Sequence, residues 1–151
     1  MRVLLACAAL ALLAFGAPSP ALAQLGANCS ISTTGVAFGS YDVFVGTPRT
    51  STGTITYSCT VGLSIRIELG MGSSGTYAAR TMRQASEALD YNLYRDSNYA
   101  TVWGDGSGGT GVFTGTTLLA PGNVTVYGRL PAGQNVSAGA YSDTVVATIV
   151  F

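Results

Sequence analysis

The chain has 151 residues, with seven basic residues (all Arg) against seven acidic ones, and neither His nor Lys. One domain is expected at this length. Imidazole acid–base chemistry, lysine Schiff bases and imidazole metal ligands are excluded, and a neutral chain with so few cations does not fit nucleic acid, whose binding rests on phosphate neutralisation. Only 9% of residues are charged and 48% are hydrophobic, so composition leans towards a structural or binding protein.

Met1-Arg2 gives a short positive start, Val3 to Phe15 is an almost unbroken apolar run, and Ala21-Leu22-Ala23 has the small-x-small pattern of a signal-peptidase site. The run is short for a span of about 20 residues. We therefore expect a signal peptide over 1–23, one domain over 24–151, and no stable membrane insertion. Cys29 and Cys59 are then the two cysteines left in an oxidising compartment, where a disulfide is the expected state and one connectivity exists.

Beyond the signal, apolar residues recur with period two and no helical period is evident. Cys29 to Ser32, continued by Val36-Ala37-Phe38 after an interruption at Gly35, reads as the first strand. Thr54 to Cys59 alternates, and Leu63 to Leu69 does so most cleanly, with Ser64, Arg66 and Glu68 on the opposite face. The Arg80–Ala88 stretch is polar and reads as a crossing loop. Leu89, Tyr91 and Leu93 form the next stripe, which places Tyr91 in the core. Further strands are expected around Val112-Phe113, Val124–Tyr127 and Thr144–Phe151. Six or seven short strands broken by Gly-, Ser- and Pro-rich turns fit an all-β, immunoglobulin-like β-sandwich.

The C-terminal strand is apolar on one face (Val145, Ala147, Ile149 and Phe151) and largely so on the other (Val146 and Val150). Such a strand calls for burial on both faces, and nothing after Asp143 blunts it with charge or Pro. Two readings stay open: an ordinary central strand covered by its own domain, or a domain lacking a neighbouring strand that another chain supplies.

Chemical sites are sparse. Glu87 and Asp90 form a close carboxylate pair of the kind glycoside hydrolysis uses, but fit a polar loop better. Asp105-Gly106-Ser107-Gly108-Gly109 lacks the repeated acidic ligands of a calcium loop. No catalytic residue, metal or cofactor is expected. Tyr94, Tyr99 and Trp103 are the surface aromatics that would contact a glycan.

Taken together, Phe38-Gly39-Ser40-Tyr41-Asp42, Gly53 through Cys59, Tyr91-Asn92-Leu93-Tyr94-Arg95-Asp96, Trp103-Gly104-Asp105-Gly106, Tyr127 to Gln134 and Gly139 to Val145 resemble the spore coat protein U domain, shared with pilin subunits of the archaic chaperone–usher pathway. The resemblance implies an incomplete immunoglobulin-like β-sandwich lacking its final strand and completed by donor-strand complementation. A periplasmic chaperone first lends a strand beside Thr144–Phe151. The outer-membrane usher then exchanges it for one from another pilus subunit. The family's single disulfide falls on Cys29–Cys59.

One departure matters: only Gln24 to Asn28 would precede Cys29, a reach of at most about 17 Å, short for a donor strand. The expectation is thus an exported, non-enzymatic fimbrial subunit, minor or terminal, that accepts a strand. The alternatives are a secreted coat or matrix protein and a carbohydrate-binding adhesin.

Overall fold

The computed structural model describes residues 26–151, so the expected signal peptide lies outside the described residues. Eight strands pack as two antiparallel layers: β1 (Cys29–Thr34), β2 (Arg49–Cys59), β3 (Ser64–Leu69), β4 (Arg80–Gln84), β5 (Glu87–Tyr94), β6 (Phe113–Thr116), β7 (Gly122–Leu130) and β8 (Ala147–Val150). One sheet has the order β1-β2-β7-β5-β4 and the other β6-β3-β8.

Period-two alternation positions the core. Ile65, Ile67 and Leu69 of β3 face Ile55 and Tyr57 of β2, Leu89, Tyr91 and Leu93 of β5, and Val126 and Leu130 of β7, all buried. On the outer face of β3, Arg66 and Glu68 form an ion pair at 2.5 Å. Cys29 and Cys59 sit directly opposite each other in the β1–β2 register and are joined by a disulfide, which staples an edge strand to its neighbour.

Two expectations about the strands need correction. Arg80–Ala88 is not a crossing loop: β4 begins at Arg80 and forms a hairpin with β5. The alternation was hidden because the inward residue at its start is an arginine, fully buried and held by polar partners instead of apolar ones. Its Nε and Nη2 donate to Gly70 O at 2.9 and 2.8 Å, Nη2 also to Trp103 O at 2.7 Å, and Nη1 to Asn92 Oδ1 at 2.6 Å. Burial lowers the guanidinium pKa from its ordinary value, yet these acceptors offset the loss of water.

Val36-Ala37-Phe38 does not continue the first strand. After Thr34 the chain turns inward over two glycines: a Cβ at Gly53 would lie 2.6 Å from Thr34 O, and one at Gly128 would lie 2.5 Å from Val36 Cγ1. Phe38 is thereby packed edge-on to Tyr91, with ring centroids 5.8 Å apart. For β8, where two readings stood open, the domain does not cover both faces. Val145, Ala147 and Ile149 pack on the core, whereas Val146 and Val150 are 65% and 40% exposed.

Candidate strand-acceptor site

Among the described residues, both layers end in an unpaired strand on the same side. There β8 pairs with β3 alone, in the register Arg66↔Val150 to Leu69↔Ala147, and Gly70 N–H donates to Val146 O at 2.8 Å. Antiparallel residues spend their backbone groups alternately on one side and the other. Val146, Thr148 and Val150 therefore turn theirs to β3, while Val145, Ala147 and Ile149 turn theirs to the open edge. The same alternation applies in β1. Thr60 N–H donates to Asn28 O at 2.9 Å, so Ser30, Ser32 and Thr34 bond to β2, and Cys29, Ile31 and Thr33 face outward.

A groove of about 390 Å³ opens between these edges. Thr33, Val36 and Phe38 line one side, Val145 and Ala147 the other, and Ile55, Leu93 and Val126 form the floor. The residues that offer free backbone groups on β8 are the ones whose side chains face the core, so one incoming strand would meet hydrogen-bond partners and apolar contacts together. β1 and β8 approach within 8 Å between Cα atoms without a ladder.

Asp143 fixes where the C-terminal segment enters this wall. Its Oδ1 accepts Ser73 N–H at 2.9 Å and Thr144 N–H at 2.8 Å, and its Oδ2 accepts the Tyr91 hydroxyl at 2.8 Å. Burial, reinforced by the Asp143 carboxylate, pushes the Tyr91 phenol well above its ordinary value. Sequence reading missed Asp143, Arg80 and Asn92, since a polar residue carries no periodic signal that separates a buried bond from a solvated one.

Of the predicted site residues, the structure brings Val145 and Ala147 to the groove; Ile149 packs on the core beside it, and Phe151 at the chain end is 57% exposed. Trp103 is not a surface aromatic. It is fully buried, its Nε1–H donates to Ile67 O at 3.0 Å, and its backbone N–H to Leu93 O at 2.9 Å. Tyr94 and Tyr99 do meet near the surface, edge to face at 5.5 Å. Glu87 and Asp90 fall on opposite faces of β5 and form no pair; Glu87 accepts Ser137 N–H and Oγ–H at 3.1 and 3.0 Å instead. Among the described residues no group of three or more His, Cys, Asp or Glu side chains is placed to hold a metal.

A two-layer sandwich with one open side between its first and last strands is an incomplete immunoglobulin-like domain. The Spore Coat Protein U domain profile matches residues 16–148, and the chain belongs to that family. Protein U of Myxococcus xanthus is 40% identical over 146 residues, covering 85% of this chain and 80% of the relative. The fold is also similar (TM-score 0.60, 21% identity over 83% of this chain) to a chain in the crystal structure of the CsuC–CsuE chaperone–tip adhesion subunit pre-assembly complex from archaic chaperone–usher Csu pili of Acinetobacter baumannii. Our chain spans 40% of the length of that solved chain.

Proposed function

We propose that this protein is an exported structural subunit of chaperone–usher fimbriae, with a periplasmic chaperone, an outer-membrane usher and other pilus subunits as its partners. The observation that carries this is the groove in which the unpaired edges of β1 and β8 flank a floor of core side chains. An added strand seating three Val- or Leu-sized side chains there would gain about 1.5–3 kcal/mol from each, besides the backbone ladder.

A strand between two others needs about 9.6 Å between its flanks, twice the usual spacing. The edges, within 8 Å of each other, therefore part by at least about 1.6 Å at their closest point to admit it. The disulfide at Cys29 and the ladder down to Thr34↔Thr54 hold β1 to β2 along its length. A minor or terminal, strand-accepting position is supported by the short stretch Gln24 to Asn28 that the expected cleavage leaves before Cys29.

The test is export of the full chain with and without its co-expressed chaperone. A one-to-one complex, with the chain degraded or aggregated when alone, is the expected result. Recovery of a protease-resistant monomer without any chaperone sinks the reading. The 40% identity to Protein U favours a second use of the same groove, in a secreted spore coat or matrix assembled by strand pairing. Electron microscopy separates the two, through fibres on the cell surface against a continuous coat.

A further inference from the structure

The outer face of the five-stranded sheet, away from the groove, carries a built array. Ile55 and Tyr57 point into the core, so Thr50, Thr52, Thr54 and Thr56 point outward in one row. Their register neighbours continue the array: Thr54 lies opposite Thr34 on one side and Thr125 on the other, and Thr52 opposite Tyr127. Hydroxyls thus repeat at about 6.8 Å along a strand and about 4.8 Å across.

The array ends at an aromatic corner. Tyr127 is directly opposite Tyr94 in the β5–β7 register. Tyr94 packs edge-on to Tyr99 at 5.5 Å, and the Arg129 guanidinium lies 5.5 Å from the centre of the Tyr99 ring. The Asp96 carboxylate accepts the N–H groups of Asn98, Ala100 and Thr101 at 3.1, 3.0 and 2.9 Å, and this turn holds Tyr99 at φ +56°.

The charge pattern selects the ligand. No charged residue occurs between Thr50 and Ile65 or between Gly106 and Gly128, so the β1–β2–β7 part of this face is neutral up to Arg129 at its corner, and the outward charges Arg83 and Asp90 lie on the β4–β5 part. A polyanion needs several cations, and a docked apolar helix or sheet needs an apolar patch. Neutral hydroxyl rows beside tyrosine rings match a ligand that both stacks and exchanges hydrogen bonds without charge. We infer that this face binds a neutral polysaccharide, with Tyr99 and Tyr127 stacking on sugar rings and Thr52, Thr54 and Arg129 hydrogen-bonding to hydroxyls. This site is separate from the groove and does not depend on strand acceptance.

Affinity electrophoresis of the full exported chain, held in its complex with the co-expressed chaperone and with the chaperone alone as blank, through gels containing amylose, laminarin or galactomannan, with alginate as the polyanion control, tests it. At least one neutral polysaccharide should retard the protein and alginate should not. Tyr99→Ala and Tyr127→Ala should each weaken retardation by about tenfold, as expected for aromatic anchors. The double variant Thr52→Val, Thr54→Val keeps strand propensity and should weaken it too, which separates binding from folding. Retardation by alginate alone, by none of the neutral polymers, or undiminished in the tyrosine and threonine variants would overturn the inference.

Discussion

Proline placed at two adjacent positions of β8 separates strand acceptance from folding. Ala147 turns its N–H to the open edge, so Ala147→Pro leaves the β3 ladder whole, and proline is tolerated where the N–H faces away from the sheet. Thr148 lies opposite Glu68 with its N–H turned to β3, so Thr148→Pro removes a ladder bond and pushes the ring into the neighbouring strand. We expect Thr148→Pro to lower folding stability by roughly 2–3 kcal/mol and Ala147→Pro by less than about 1 kcal/mol.

Strand capture should respond in a different way. Ala147→Pro loses one edge hydrogen bond, about 1 kcal/mol, and its ring occupies space needed at a strand spacing of about 4.8 Å. Capture should therefore fall tenfold or more, about 1.4 kcal/mol. The assay is co-purification with the co-expressed chaperone, alongside urea unfolding of the recovered complex. Undiminished capture by Ala147→Pro, with the fold intact, would refute the assignment of the free edge. Equal destabilisation by the two prolines would refute the register argument.

Other expectations follow from the core and the loops. Arg80→Leu takes the guanidinium donors from the Gly70 and Trp103 carbonyls and from Asn92 Oδ1, which keeps only the Leu93 N–H, and should destabilise by about 3 kcal/mol or more, measured by urea unfolding, with Arg80→Lys failing to restore full stability because one ammonium cannot span the same acceptors. Trp103→Ala should cost about 3–5 kcal/mol through its cavity, read as a lowered Tm, so loss of any binding in that variant reports on folding. Removing the disulfide with Cys29→Ala and Cys59→Ala should cost about 3–4 kcal/mol on loop entropy and raise hydrogen exchange in β1 first. Glu87, Asp96 and Asp105 have pKa values lowered chiefly by hydrogen bonds from the Ser137 N–H, the Ala100 N–H and the Ser107 hydroxyl, respectively. The unfolded chain takes up those protons first, so this stability is present above the ordinary carboxylate range and lost as pH falls through the folded values. Tm should therefore drop on acidification below about pH 4, and Glu87→Gln should flatten part of that fall.

The all-β layering was legible because β3 and β5 alternate cleanly. Ile65, Ile67 and Leu69, like Leu89, Tyr91 and Leu93, are buried as their spacing requires, and burial of one face is what fixes a strand's register. The cysteine pair was legible by arithmetic, and the groove-facing stripe of β8 by its unblunted apolar run. Arg80 and Trp103 were not. A charged residue is seldom buried without partners, and the acceptors at Gly70, Asn92 and Trp103 that permit it come together only in the folded chain. An aromatic in a glycine-rich loop carries no sign of which way it turns, and only the folded chain brings the Trp103 Nε1–H to the carbonyl of Ile67.

What the sequence by itself determined was local and periodic: which residues form the cleanly alternating strands, which faces are apolar, which cysteines can join, and that catalytic His and Lys are absent. What only the tertiary structure decided was which edges stay unpaired. Edges are a property of how strands are ordered in space, and chain order does not specify it. β1 and β8 come from opposite ends of the domain, and folding brings their free edges to the same open side.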